Sequence, residues 1–198
     1  MNQHVIVLHG LGRNARAMQR VAQAASAAGY NVTCPDYPSR HHSIIDLVEH
    51  LSSSLPPSGL VHMIGHSLGG LLALRLMLKL PVARRGRIVQ LGSPNLGTPF
   101  ARRSAAFSWL LGPALQNIAG PQPKFDEALE VGAIAGNAAW RPYGLITGIW
   151  EPNDGKVTCA SAHGHAKHKL TLPLSHATMM NAPSAIAAAL HFLEHGYF

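Results

Sequence analysis

The stretch that most constrains this chain is Gly65-His66-Ser67-Leu68-Gly69, set between the apolar run Leu60-Val61-His62-Met63-Ile64 and the segment Leu71-Leu72-Ala73-Leu74. The first flank reads as a buried strand and the second as a helix. A turn this tight from strand to helix leaves no room for a Cβ two positions either side of the serine, and the glycines at 65 and 69 meet that demand. The turn lifts the serine hydroxyl off the sheet edge. It also sets the serine at a helix N-terminus, where backbone N–H groups and the helix dipole favour developing negative charge. Ser67 is the candidate nucleophile.

The rest of the chain alternates in the same way. Val5 to Leu8, Asn31 to Cys34, Leu60 to Ile64, Arg87 to Leu91, Tyr143 to Trp150 and His168 to Leu172 read as strands. Asn14 to Ala28, Ser43 to Leu51, Leu68 to Leu80 and Pro183 to His195 read as helices. Gly29 stops the first and Pro81 the third. Ser43 is a candidate N-cap with Asp46 three residues on, and Pro183 opens the last. Strands separated by helices predict an α/β fold, a three-layer sandwich of a mostly parallel six-stranded sheet with helices on both faces. The whole of 1–198 is expected to be one domain. Residues 94–142 carry many glycines and prolines and no clear strand, so this stretch is expected to be an irregular, lid-like insertion over the C-terminal edge of the sheet. Its apolar residues Phe107, Trp109 and Leu110 are candidates for a substrate pocket, with ordinary core as the alternative.

A serine nucleophile needs a histidine to take its proton and a carboxylate to hold that histidine. After a strand–serine–helix elbow these follow in the order acid, then histidine. Only two aspartates follow Ser67. Asp126 lies in the irregular stretch, and Asp154 lies in Pro152-Asn153-Asp154-Gly155, a turn sequence suited to the end of a strand. Asp154 is the candidate acid, with Glu151 its rival. His176 follows the last predicted strand, so it is the candidate base. His168 would instead begin that strand, and His191 and His195 fall on the closing helix. Acyl transfer also builds an oxyanion, which needs preorganised donors. The amide of Leu68 is one candidate. That of Leu11, in the glycine-bracketed loop His9-Gly10-Leu11-Gly12 after the first strand, is the other. His9 and His66 read as supporting groups.

Composition narrows the alternatives. Hydrophobic residues make up 47% of the chain and charged ones 13%, which suits a densely cored globular domain rather than a disordered one. No apolar run approaches the roughly 18 residues that cross a bilayer. The absence of a signal-like start places the chain in the cytoplasm as an expectation. The net charge is +7, yet the basic residues form no stripe interleaved with aromatics, which argues against nucleic acid and is compatible with weak membrane-surface contact. His163, His165 and His168 have a metal-like spacing. However, no carboxylate lies near them and Lys167 and Lys169 repel cations, so no metal or cofactor is expected. Cys34 and Cys159 read as free buried thiols.

With these residues placed, the chain resembles the α/β-hydrolase superfamily, and within it the small lipase and esterase group, over nearly its whole length. Val7-Leu8-His9-Gly10-Leu11-Gly12 looks like that family's oxyanion loop and Gly65 to Gly69 like its nucleophile elbow. Gly97-Thr98-Pro99 is similar to a turn frequent in its lipases. Asp154-Gly155-Lys156-Val157 and Ser175-His176 resemble its acid and histidine loops. The full fold has two further strands before the one carrying the oxyanion loop, so the resemblance implies the minimal form without a large cap. It implies hydrolysis of small-molecule carboxylic esters through a Ser-His-Asp triad and an acyl-enzyme, without a cofactor. An acyltransferase or thioesterase using the same triad, with Arg102 and Arg103 near a carrier phosphate, is the first alternative. A non-catalytic lipid- or partner-binding protein is the second.

Overall fold

The computed structural model describes residues 3–99, 101, 112–124, 126, 128–139 and 149–198. Its centre is a parallel sheet of six strands: β1 Gln3–Leu8, β2 Asn31–Thr33, β3 Leu60–His66, β4 Arg85–Leu91, β5 Val131–Gly136 and β6 His168–Leu172, in the order β2-β1-β3-β4-β5-β6. Among the described residues the α-helices are α1 Gln19–Ala27, α2 Ile44–Ser52, α3 Leu68–Met77, α4 Pro113–Asn117, α5 Cys159–His163 and α6 Pro183–His195.

Alternation along the strands makes the two faces. Ile6, Leu8, Val61, Met63 and Ile88 point to one side and form a core with Leu47 and Leu51 of α2 and Leu72 and Leu76 of α3. Val5, Val7, Ile64, Val89 and Ile134 point to the other and pack on Val21 of α1 and Ala189 and Phe192 of α6. Two buried faces make the three layers the pattern predicts. The caps behave as their sequences require. Ser43 and Asp46 form a capping box on α2, and α6 starts on Pro183 and ends before Gly196, which adopts a left-handed conformation. No helix among the described residues is long and apolar enough to cross a membrane.

Residues 94–142 depart from expectation, because they contain β5. Val131–Gly136 is an interior strand, pairing with β4 on one side and β6 on the other. Its sequence, Val-Gly-Ala-Ile-Ala-Gly, is short and rich in small residues, and burial on both faces removes the alternation that marks a strand. Residues 143–148 of the strand expected at Tyr143 to Trp150 lie outside the described residues, and Ile149 and Trp150 carry no regular structure.

The chain runs from β1 outward to β2, then returns to the other side of β1 as β3. Neighbouring connections therefore diverge at the carboxyl ends of β1 and β3, where open α/β sheets form their ligand crevices. Leu8 pairs with Gly65, and His66 with Leu91. The loop after β1, the turn after β3 and the loop after β4 therefore emerge side by side.

The opposite end of the sheet makes the fold sensitive to acid. The β3–β4 register shifts between Val61 and Met63, and there the His62 ring completes the ladder: its Nδ1 accepts the Arg87 amide at 3.0 Å. That nitrogen must be unprotonated. Burial, and then the Arg87 guanidinium, hold His62 down to about 4 from an ordinary 6.5. The unfolded chain binds this proton below about 6.5 while the native state refuses it until about 4, so stability falls as the pH drops through that window. His62 alone should remove about 3 kcal/mol. Buried His9 and His66 are also pushed downward and add in the same direction. Urea unfolding at pH 7 and pH 4.5 should show this loss, and His62→Asn, whose Oδ1 takes the place of Nδ1, should make it smaller, leaving the share of His9 and His66. Equal midpoints at the two pH values for the native sequence would contradict the assignment.

Candidate active site

Ser67 joins β3 to α3 with φ 54° and ψ −118°, the one non-glycine residue of positive φ among those described. Such a conformation costs about 1–3 kcal/mol and persists only where its surroundings over-determine it. Here they do. A Cβ on Gly65 would stand 2.4 Å from the backbone of Gly69, and one on Gly69 would stand 2.3 Å from the Leu8 carbonyl oxygen. The glycines therefore let α3 begin directly against β3 and β1. The Ser67 amide donates to Leu91 O at 2.9 Å, which ties the turn to the end of β4. Ser67 is buried to 8% exposure and lines a cavity of ≈ 300 Å³.

Asp154 and His176 come from the loops before α5 and after β6. Asp154 Oδ1 accepts the amides of Lys156 and Val157 at 2.9 and 2.8 Å, an Asx-type turn that uses up one carboxylate oxygen. Oδ2 is left for His176 Nδ1, at 2.7 Å. A backbone bond from the His176 amide to Asp154 O, 2.8 Å, locks the two loops together. Both side chains are buried. An imidazole that donates from Nδ1 to a carboxylate keeps its lone pair on Nε2. His176 lines the same cavity as Ser67. Glu151, the rival acid, is exposed, as is Asp126.

Several supports were not evident from sequence. Gly92 follows β4 with φ 60°, and a Cβ there would lie 3.0 Å from Asp154 Oδ2 and 3.3 Å from His176 Nδ1. The Asp154–His176 hydrogen bond thus needs a glycine that no motif marks. Gln90 and Asn95 exchange amide hydrogen bonds of 3.1 and 2.8 Å. Gln90 also donates to Gly70 O, and Asn95 to Ala162 O. The Thr98 hydroxyl donates to Lys156 O. The Gly97-Thr98-Pro99 segment is in this way bound to the acid loop.

The two histidines read as supports occupy such positions. His66 Nε2 donates to the His176 carbonyl at 3.0 Å, with the rings 4.7 Å apart. Complete burial, then the neighbouring His176, drives His66 well below its ordinary range, so it is neutral. His9 stacks on Tyr37 at 3.8 Å and donates from Nδ1 to Gly10 O at 2.9 Å; the Tyr37 hydroxyl donates to His9 O. Burial lowers His9 as well. His163 contacts Leu170 O and the Thr171 hydroxyl, and the His168 ring meets Phe192 edge-on, so both serve β6 and its packing.

Leu11 lines the cavity beside Ser67, and Leu68 is the first residue of α3, where amides have no partner inside the helix. Phe107, Trp109 and Leu110, the expected pocket residues, lie outside the described residues, as do Arg102 and Arg103. The cavity is also lined by Arg13, Arg40 and Lys156, which sequence reasoning did not single out. Arg40 lies 28 residues beyond Gly12 and reaches the site because Ser39 Oγ accepts the Gly12 amide at 2.9 Å.

Comparison with known proteins agrees with this architecture. The Alpha/beta hydrolase family matches residues 5–189. Similar solved structures include the mature form of the Bacillus licheniformis lipase BlEst2, with a TM-score of 0.77 and 16% identity over 98% of this chain and 91% of that one. A pyrethroid hydrolase from Sphingobium faniae JZ-2 follows with a TM-score of 0.65 and 16% identity over 98% of each chain. Polyneuridine aldehyde esterase gives 0.64 and 14% over 98% of this chain and 100% of that one. A comparison with curated proteins finds no match. At these identities the structures speak for the fold, while the family match spans nearly the whole sequence: the chain belongs to the alpha/beta hydrolase family.

Proposed function

We propose that the chain is a serine hydrolase of carboxylic esters, with Ser67 as nucleophile, His176 as base and Asp154 as the group that orients it. The observation that carries this reading is the 2.7 Å bond from His176 Nδ1 to Asp154 Oδ2, which leaves Nε2 as the basic nitrogen of a residue that shares a cavity with the strained Ser67. His176 Nε2 takes the Ser67 proton as Oγ attacks the ester carbonyl. The amides of Leu11 and Leu68 hold the oxyanion, each such donor being worth about 2.7–4 kcal/mol in the transition state. His176 then protonates the leaving alcohol, and water releases the acyl group with the roles reversed. Asp154 holds the tautomer and stabilises the imidazolium. None of these steps requires a cofactor. The lipase and esterases among the structural neighbours support the choice of ester chemistry.

The test is hydrolysis of p-nitrophenyl esters from acetate to palmitate by the wild type and Ser67→Ala. Ester cleavage that vanishes in the variant is expected. Cleavage only of thioesters, or acyl transfer to added alcohols in preference to water, would move the assignment to a thioesterase or an acyltransferase on the same residues.

A further inference from the structure

We propose that the cavity beside Ser67 takes an ester that carries an anionic group, a carboxylate or a phosphate, within a few bonds of the scissile carbonyl. This rests on the hydrolase reading above and names its substrate class. Among the described residues, three cations line the ≈ 300 Å³ cavity together with Ser67 and His176: Arg13, Arg40 and Lys156. They come from three separate loops, after β1, before α2 and in the acid turn, so their convergence is a product of the fold and not of a basic run. Among the described residues, none that lines the cavity has a carboxylate of its own. Asp154, immediately behind it, is committed to His176 and two backbone amides.

The other arginines of known partner make the contrast. Arg84 and Arg85 each donate to two carbonyls, Arg20 to Asn181 O, Arg75 to Leu71 O and the Gln122 amide oxygen, and Arg87 to Glu130 and the end of α6. Those guanidinium groups hold the framework. Arg13 and Arg40 have no ion pair among the described residues. Arg40 lies against Gly12, where a Cβ would stand 2.8 Å from its Nε. That glycine keeps the guanidinium close to the loop that bears Leu11. Partial burial, then the charge on Arg13, holds the Lys156 ammonium below its ordinary range. Like charges gathered at a semi-enclosed site repel one another, and an anion placed among them relieves that repulsion while gaining charge-assisted hydrogen bonds.

The experiment compares esters of similar length: p-nitrophenyl hexanoate, the p-nitrophenyl half-ester of adipic acid, the 5-phosphonopentanoate ester and the 6-aminohexanoate ester. After subtraction of spontaneous hydrolysis, one or both anionic esters should exceed the hexanoate in kcat/KM by about tenfold or more, and the amino ester should fall below it. Which anion leads separates a carboxylate substrate from a phosphate one. The anionic-to-neutral ratio should drop by about tenfold in Arg13→Gln/Arg40→Gln. It should also shrink towards about 1 M salt, where the screening length is about 3 Å. Equal kcat/KM for the hexanoate and both anionic esters would overturn the proposal and leave the esterase reading standing. If none of the four is cleaved, the esterase reading fails. Calorimetric titration of the intact esters into the wild type then decides the anion site, and equal affinity for neutral and anionic forms would overturn it.

Discussion

Replacing Ser67 by alanine is expected to lower kcat for ester hydrolysis by about 10⁶-fold with the fold intact. The size follows from the chemistry, because without Oγ no acyl-enzyme forms and only binding and oxyanion stabilisation remain. The fold should survive because the restraints on the turn are not in the hydroxyl. They are the amide bond to Leu91 O and the close approach of Gly65 and Gly69 to their neighbours, all of which alanine keeps. Side-by-side initial rates and near-ultraviolet circular dichroism check both halves. Residual activity within tenfold of the wild type, with a native spectrum, would remove Ser67 from the mechanism.

The second large effect is expected for Asp154→Asn, a fall of about 10⁴ in kcat. The geometry gives the reason. Two backbone amides, from Lys156 and Val157, point at Oδ1, so in the variant the side-chain carbonyl must stay there and the NH₂ group must face His176. His176 Nδ1 then becomes an acceptor and the proton moves to Nε2, the nitrogen that should take the serine proton. Glu151→Gln is the matched control, since Glu151 is exposed and, among the described residues, engages the site only through its main-chain carbonyl, which accepts from Asn153. Rates for the two variants, measured with one ester at one pH, separate the acids. A loss confined to Glu151→Gln would reverse the assignment.

Much of the candidate site is legible in the sequence because the chemistry proposed for it demands special backbone. A serine between two glycines at a strand-to-helix junction, and a glycine-bracketed loop after the first strand, announce themselves in sequence. Asp154 and His176 were legible through chain order and through the turn residues Pro152, Asn153 and Gly155. What stayed hidden is of two kinds. β5 is buried on both faces and built from small residues, so it carries neither alternation nor bulk, and 94–142 read as irregular. Gly92, Arg13 and Arg40 matter only through contacts across the fold: a missing Cβ beside the Asp154–His176 pair, and a Ser39–Gly12 bond that draws the loop before α2 over the cavity. No local pattern encodes such contacts.

If the chain is a serine hydrolase, His176 activates Ser67. An alkyl fluorophosphonate, which phosphonylates only an activated serine, tests it in a single mass-spectrometric measurement on the intact chain and its tryptic fragments. One equivalent of adduct, fragmenting to Ser67, is expected in the wild type, and none over the same time in His176→Ala. An adduct at another serine, or equal labelling of Ser67 in that variant, would contradict it.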